Sequence, residues 1–316
     1  MKKSFEELFE EIKQSDSPEF NEMYESAKKE KALINKSFII VNIIIVVFLM
    51  LIFKISYNSL FTVPFIFMPL LVADFIIYIV IVSIFSKNSK LYSQTFKLRV
   101  IRKIFSNFYD VIEYTPTKQI PKSIYNEAKY NEYYNRYVSD DYMEGKIDSK
   151  YFIQMAEVHT IDEETSTDAN GNTTTTSTTK FHGLFAKIEL NKSINNSLLI
   201  RKNHSISKKN RLDMDSQDFE KVFDVSSSNQ IIGMQLLTHD VMELLLSFKD
   251  TTGITFDISI YNNIMYLRFH TGSVFELKSL KKGAFDEEML KKYYNILDFT
   301  YKLSKMLIDL IEETKI

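Results

Sequence analysis

Two long apolar runs dominate the early part of the chain. Ser37 to Phe53 reads SFIIVNIIIVVFLMLIF, lies between Lys36 and Lys54, and holds Asn42 as its one amide. Leu60 to Phe85 reads LFTVPFIFMPLLVADFIIYIVIVSIF and holds a single charge, Asp74. Neither run has the polar face of an amphipathic soluble helix. Each nears or exceeds the roughly 20 helical residues that cross a hydrocarbon core. The break between them is short, so the pattern predicts a transmembrane helical hairpin over 37–53 and 60–85.

Lys28, Lys29, Lys31 and Lys36 precede the first run, and Lys87, Lys90, Lys97, Arg99, Arg102 and Lys103 follow the second. The connection holds only Lys54. Basic residues stay on the cytoplasmic side, so the prediction is a two-pass cell-membrane protein with both termini cytoplasmic. Residues 1–36 form N-terminal cytoplasmic helices, 86–137 a basic juxtamembrane helical segment, and 138–316 a cytoplasmic α+β domain.

Within 1–36, Phe5, Leu8, Phe9 and Ile12 fall on one helical face, and Ser15 to Pro18 predicts a break. The acidic opposite face (Glu6, Glu7, Glu10, Glu11) disfavours an anionic lipid surface and favours packing on the protein itself. Residues 86–113 carry a helical stripe, Ile101, Ile104, Phe105, Phe108, Val111 and Ile112, and 122–137 a weaker helical pattern. The period then becomes strand-like. Strands are predicted at Tyr151–Thr160, Phe181–Leu190, Leu198–Ile200, Phe219–Val225, Ile254–Ile260, Ile264–His270 and Val274–Leu277. The Thr-rich stretch 165–180 lacks apolar residues except Ala169 and predicts a flexible solvated loop. Thr238 is an N-cap candidate for a helix over 239–249. A long helix over 286–312 closes the chain, with an acidic first turn suited to the helix dipole. Strands and helices in runs indicate a mainly antiparallel sheet with flanking helices.

Charge is nearly balanced, 39 Lys+Arg against 41 Asp+Glu, which argues against nucleic acid as a partner. Cysteine is absent, so disulfides, thiolate metal sites and a Cys nucleophile are excluded. With 7 glycines in 316 residues, no glycine-rich phosphate loop is present.

An ordered series of short motifs adds to this. VSDDYMEGKI (Val138 to Ile147) is followed by Phe152 and by AEV (Ala156 to Val158). FHGLFA (Phe181 to Ala186), DFEKVFDV (Asp218 to Val225), LLT (Leu236 to Thr238) and VFEL (Val274 to Leu277) come after. This order, behind two apolar runs, resembles the bacterial membrane-protein family catalogued as domain of unknown function 3137. The resemblance implies a membrane location and this architecture, and assigns no catalytic residue.

Chemical candidates are sparse. Asp74 within a span costs about 2.5–3.5 kcal/mol and needs a partner such as Asn42, water or a proton. Its functional options are self-association and an ion path in a small channel or transport subunit. No histidine pair has HExxH spacing; His239 and Glu243, with Asp240, read as surface residues. Asp168 to Asn172 resembles the start of a calcium loop, but Thr179 stands where that loop needs Glu. Asp140, Asp141, Glu157 and His182 are the residues an enzyme acting on lipid or on a membrane-proximal substrate would use. Lys87, Lys90, Lys97, Arg99, Arg102 and Lys103 are candidates for contact with anionic head groups. The favoured reading is a scaffolding or binding module without catalysis or cofactor. It faces the bilayer and engages a protein partner, or its own copy, through the spans or a sheet edge.

Overall fold

A computed structural model describes residues 2–55, 63–167, 171–190, 192–194, 196–275 and 285–313. The chain forms two compact units. One holds Met1–Leu8, Lys97–Glu276 and Glu287–Ile316; the other holds Phe9–Phe96 and Leu277–Asp286.

The helical unit is built from most of α1 (Phe5–Ile55), with α2 (Val63–Phe85) and α3 (Lys87–Phe96). Both apolar runs are therefore helical where described, and residues 56–62 between them lie outside the described residues. The expected break at Ser15 to Pro18 does not occur, because α1 passes through Pro18. A proline inside a helix costs about 3 kcal/mol, and local packing opposes that cost. Phe20, Tyr24 and Ala27 are buried, and the Phe20 ring meets Tyr92 and Phe96 of α3 at centroid distances of 6.3 and 6.4 Å. The Glu30 carboxylate of α1 accepts the N–H groups of Asn88 and Ser89 at 3.0 and 2.7 Å, which caps the start of α3.

Pro18–Phe48 is long and apolar enough to cross a membrane by length and composition, and none of its most apolar window is buried inside the protein. Among the described residues it is the one single helix that meets that test.

The sheet unit centres on eight antiparallel strands. They are β1 (Asp110–Thr115), β2 (Arg136–Ile147), β3 (Tyr151–Thr167), β4 (Thr173–Glu189), β5 (Ser197–Lys202), β6 (Phe223–Ser227), β7 (Thr255–Tyr261) and β8 (Ile264–His270). Their spatial order is β1-β2-β3-β4-β8-β7-β5-β6, so β1 and β6 are the edges. One face carries α8 (His239–Thr252) and α9 (Glu287–Glu313). There Phe248 stacks on Phe299 at 4.1 Å, beside Phe256 and Phe269 of the sheet. The other face is covered by the segment after β1, with the short helix α5 (Lys122–Glu127). Its Tyr125 and Tyr130 cluster with Phe181, Phe185 and Tyr266. Central strands covered on both faces explain why the interiors of β7 and β8 are buried without a break, although β7 alternates apolar and polar residues.

Local chemistry sets the helix ends. Thr238 accepts the Val241 N–H as the expected cap of α8, and Gly253 ends that helix in the left-handed region at φ 67°. Ser216 and Asn229 cap α6 (Gln217–Val222) and α7 (Gln230–Leu236) in the same way.

Several expectations need correction. The helix predicted over 86–113 ends earlier: a π-helical turn, Lys97–Ile101, leads into α4 (Arg102–Ser106), and Asp110 begins β1. The helix predicted over 122–137 is only α5, and Arg136 already starts β2. Phe219–Val225 divides between α6 and β6, because the Ser216 cap nucleates a helical turn first. The Thr-rich stretch is a paired ribbon rather than a loop, with Thr165 opposite Thr175 and Thr167 opposite Thr173. β-branched threonines suit a strand even where nothing is buried. Its tip, 168–170, lies outside the described residues, as do 276–277 of the last predicted strand. Val274 and Phe275 belong to no strand.

Candidate functional site

The titratable groups named from sequence converge at one place in the sheet unit. A bulge in β2 between Asp140 and Met143 breaks the pairing with β3, and Asp141 takes a left-handed backbone at φ 53°. Aspartate tolerates that region better than most residues, since its short polar side chain can bond locally. Its N–H donates to the Pro116 carbonyl at 2.9 Å. The carboxylate turns inward, where Lys97 Nζ donates at 2.6 Å and the Tyr114 hydroxyl at 3.0 Å. Opposite Asp140 on β3 stands Glu157. Its Oε1 accepts the N–H groups of Val274 and of Phe275, the latter at 2.8 Å. Carboxylate oxygens of Asp140, Asp141 and Glu157 lie within 4.8 Å of one another.

Burial governs the electrostatics. It pushes the Asp141 carboxyl up to about 6 against the opposing pull of Lys97. It pushes Glu157 up to about 7 although Phe275 and Val274 donate to it. Two residues further along β3, the His159 and His182 rings stack at 4.2 Å. Burial and the neighbouring His182 lower the His159 pKa. Chemically, three hard oxygen donors suit Mg²⁺ or Ca²⁺, yet the Lys97 ammonium already supplies positive charge there. The visible work of the cluster is to tie segments together. Glu157 holds the chain at Val274 and Phe275 to the sheet, and Asp141 holds the π turn to β2.

A pH dependence follows. Both carboxyls sit above their ordinary values of 3.8 and 4.5. Across roughly pH 4 to 7 the folded chain therefore binds more protons than the unfolded one, and stability falls as pH rises. In chemical unfolding series from pH 5 to 8, the wild type is expected to lose stability relative to Glu157→Gln. The slope is bounded by about 1.4 kcal/mol per pH unit. Parallel curves for the two proteins would show that Glu157 does not titrate there.

A second charged cluster had no place in the sequence reading. Arg268 of β8 is fully buried. It donates to Asp257 of β7 at 2.5 Å and to both oxygens of Glu132 at 2.6 Å, and lies over the Tyr130 ring. Arg201 joins at 2.7 Å from Glu132, and His270 Nε2 stands 3.0 Å from Asp257. Burial alone would raise both carboxyls, but the paired cations hold Asp257 and Glu132 below the ordinary range. A signal was present: the Asn262-Asn263 turn pairs Tyr261 with Ile264, which puts Asp257 opposite Arg268.

The remaining candidates separate. Lys97 is not a lipid contact, since it is buried against Asp141. Its position explains this: Lys97 falls on the inward stripe of Ile101, Ile104 and Phe105. Arg99, Arg102 and Lys103 line one open groove, while Lys87 and Lys90 are exposed on α3 of the helical unit. His239 and Glu243 are exposed on α8. Asn42 donates to Phe38 O of its own helix at 3.0 Å rather than to Asp74. Asp74 Oδ1 is buried with no hydrogen-bond partner among the described residues.

Residues 179–308 match the model of a family described as protein of unknown function (DUF3137). No curated protein matches the chain. Among solved structures, the mycobacterial trehalose monomycolate transport factor A, TtfA, is 8% identical, over 67% of this chain and 95% of that one. Its TM-score is 0.33, too low for the likeness to carry any argument about this chain.

Proposed function

With residues 179–308 carrying the DUF3137 family pattern, we propose that this chain is a membrane-anchored binding module that holds a protein partner at the inner face of the cell membrane. The observation that carries the reading is Pro18–Phe48, an apolar helical stretch whose most apolar window buries nothing inside the protein. Apolar surface on that scale needs a solvent other than water. In this reading α2 returns across the bilayer. The Phe38 and Tyr78 rings, in contact at 5.0 Å, are part of the packing between the two helices. The basic residues on both flanks keep the sheet unit cytoplasmic.

Partner binding is assigned to the edge strand β1. It pairs on one side with β2 and presents Ile112, 51% exposed, at a bulge between Val111 and Glu113. An extended segment of a partner can add to such an edge. The test is purification of the tagged full chain from detergent-solubilised membranes. A partner in fixed ratio is expected with the wild type and is expected to be lost with Ile112→Lys, while the melting midpoint stays unchanged. A chain recovered alone, or a partner indifferent to the substitution, would remove the edge from the proposal.

A further inference from the structure

Beyond the body of the sheet, β3 and β4 continue together as a two-stranded arm. Their pairing runs from Ile161 opposite Thr179 to Thr167 opposite Thr173 without a bulge. The neighbouring strands stop short of it: β2 leaves β3 at Arg136 opposite Ile161, and β8 leaves β4 at Phe269 opposite Leu184. The two outer edges of the arm differ. On the β3 side, the Asn135 side chain accepts the Glu163 N–H at 2.9 Å and donates to the Glu163 carbonyl at 2.7 Å. Glu163 and Glu164 add charge there, a device that keeps a sheet edge from pairing with another chain. On the β4 side, Thr173 to Thr179 reads TTTTSTT, with no charge and no proline. These residues are exposed, and their outward backbone groups have no partner among the described residues. Lys180, at the base of the arm, is paired with Asp162 at 3.2 Å.

We infer that this β4 edge pairs antiparallel with the same edge of a second copy of the chain, so that two arms join as one four-stranded sheet. A two-fold contact sets one surface patch against itself. A charged strand would then meet its own charges, and Thr173 to Thr179 has none. With the axis at Thr176, Thr173 lies opposite the partner's Thr179, and Thr175 opposite the partner's Ser177. Cross-strand Thr–Thr and Thr–Ser pairs are favourable, and the arm already uses them internally, where the Thr165 and Thr175 hydroxyls lie 3.2 Å apart. The β-branched side chains are stiff and suit an extended backbone, so the strand is organised before it pairs. A partner of other sequence finds no charge and no apolar pocket to read on this edge, whereas a second copy brings the matching row of hydroxyls. The contact is separate from the β1 edge, so its failure leaves the partner proposed for β1 untouched.

The experiment measures the oligomeric state of the purified full chain in a non-ionic detergent, by light scattering after size exclusion over a series of concentrations. The wild type is expected to be a dimer. Thr173→Lys/Thr179→Lys and Thr173→Glu/Thr179→Glu each set like charges across the axis. Within the arm both positions face uncharged residues, Thr167 and Ile161, so the circular dichroism spectrum is expected to stay unaltered. Each variant alone is expected to be monomeric. Mixed in equal amounts, they set Lys against Glu and are expected to restore a dimer with one copy of each. A monomeric wild type would overturn the inference, as would a mixture that stays monomeric. A dimer that survives both double substitutions would also overturn it by placing the contact elsewhere. So would a foreign protein that joins the wild type in fixed ratio and is lost in both variants.

Discussion

Arg268→Met is expected to destabilise the sheet unit by about 3–5 kcal/mol, the cost of removing one partner from a buried ion pair. The substitution keeps most of the apolar volume of the arginine stem, so the loss reports charge rather than a cavity. It leaves Asp257 and Glu132 facing each other, with Arg201 as the cation still bonded to Glu132. Both carboxylates then have to desolvate without the group that bonded them at 2.5 and 2.6 Å. The sign against pH is opposite to that of Glu157. The network holds both carboxyls low, so its contribution is present above the ordinary carboxylate range and fades as pH falls through their lowered values. The check is urea unfolding of wild type and variant at pH 7 and again near pH 3. A gap that is large at pH 7 and narrows in acid is expected; equal gaps would show that the network is not electrostatic in origin.

Gly183→Ala is expected to cost about as much as overpacking a core allows, the upper part of about 1–3 kcal/mol or beyond. A Cβ at Gly183 would lie 1.9 Å from the Phe269 carbonyl oxygen and 2.8 Å from the Thr271 nitrogen, both backbone atoms. No side chain can rotate away, so β4 and the end of β8 must part. The nearby bond from Gly272 N to His182 O, 3.0 Å, would go with them. Gly253→Ala is the comparison: it has a left-handed φ of 67° but nothing within 4 Å of its Cβ. It carries only the conformational cost, roughly 1 kcal/mol. Melting midpoints of the two variants separate close contact from backbone preference. Equal losses would mean that the sheet yields at Gly183.

These two sites show what the pattern of residues reveals and what it hides. β8, the helix α8 with its Thr238 cap and the closing helix α9 were legible because periodicity, turn residues and caps agree there. β1 was hidden because Phe108, Val111 and Ile112 extend the preceding helical stripe, whereas the strand is only 6 residues long and a bulge between Val111 and Glu113 breaks its alternation. The Thr ribbon was hidden because it buries nothing, and its strand character rests on branching and pairing alone. Pro18 pointed to a break that buried aromatics override. In the site, Asp140, Asp141 and Glu157 were visible as residues, but their meeting depends on a bulge that no local motif announces. The inward turn of Lys97 was within reach, since it sits on the apolar stripe. Arg268 looked like one charge in an apolar strand, and only the hairpin register brings it to Asp257.

In the proposed topology, two helices anchor the sheet unit on the cytoplasmic side of a membrane. The most direct measurement uses a reporter active only outside the cytoplasm, fused after Ile316 in one version of the chain and inserted at Tyr57 in another. Silence at Ile316 with activity at Tyr57 is the expected result. Activity at Ile316, or silence at both positions, would contradict it.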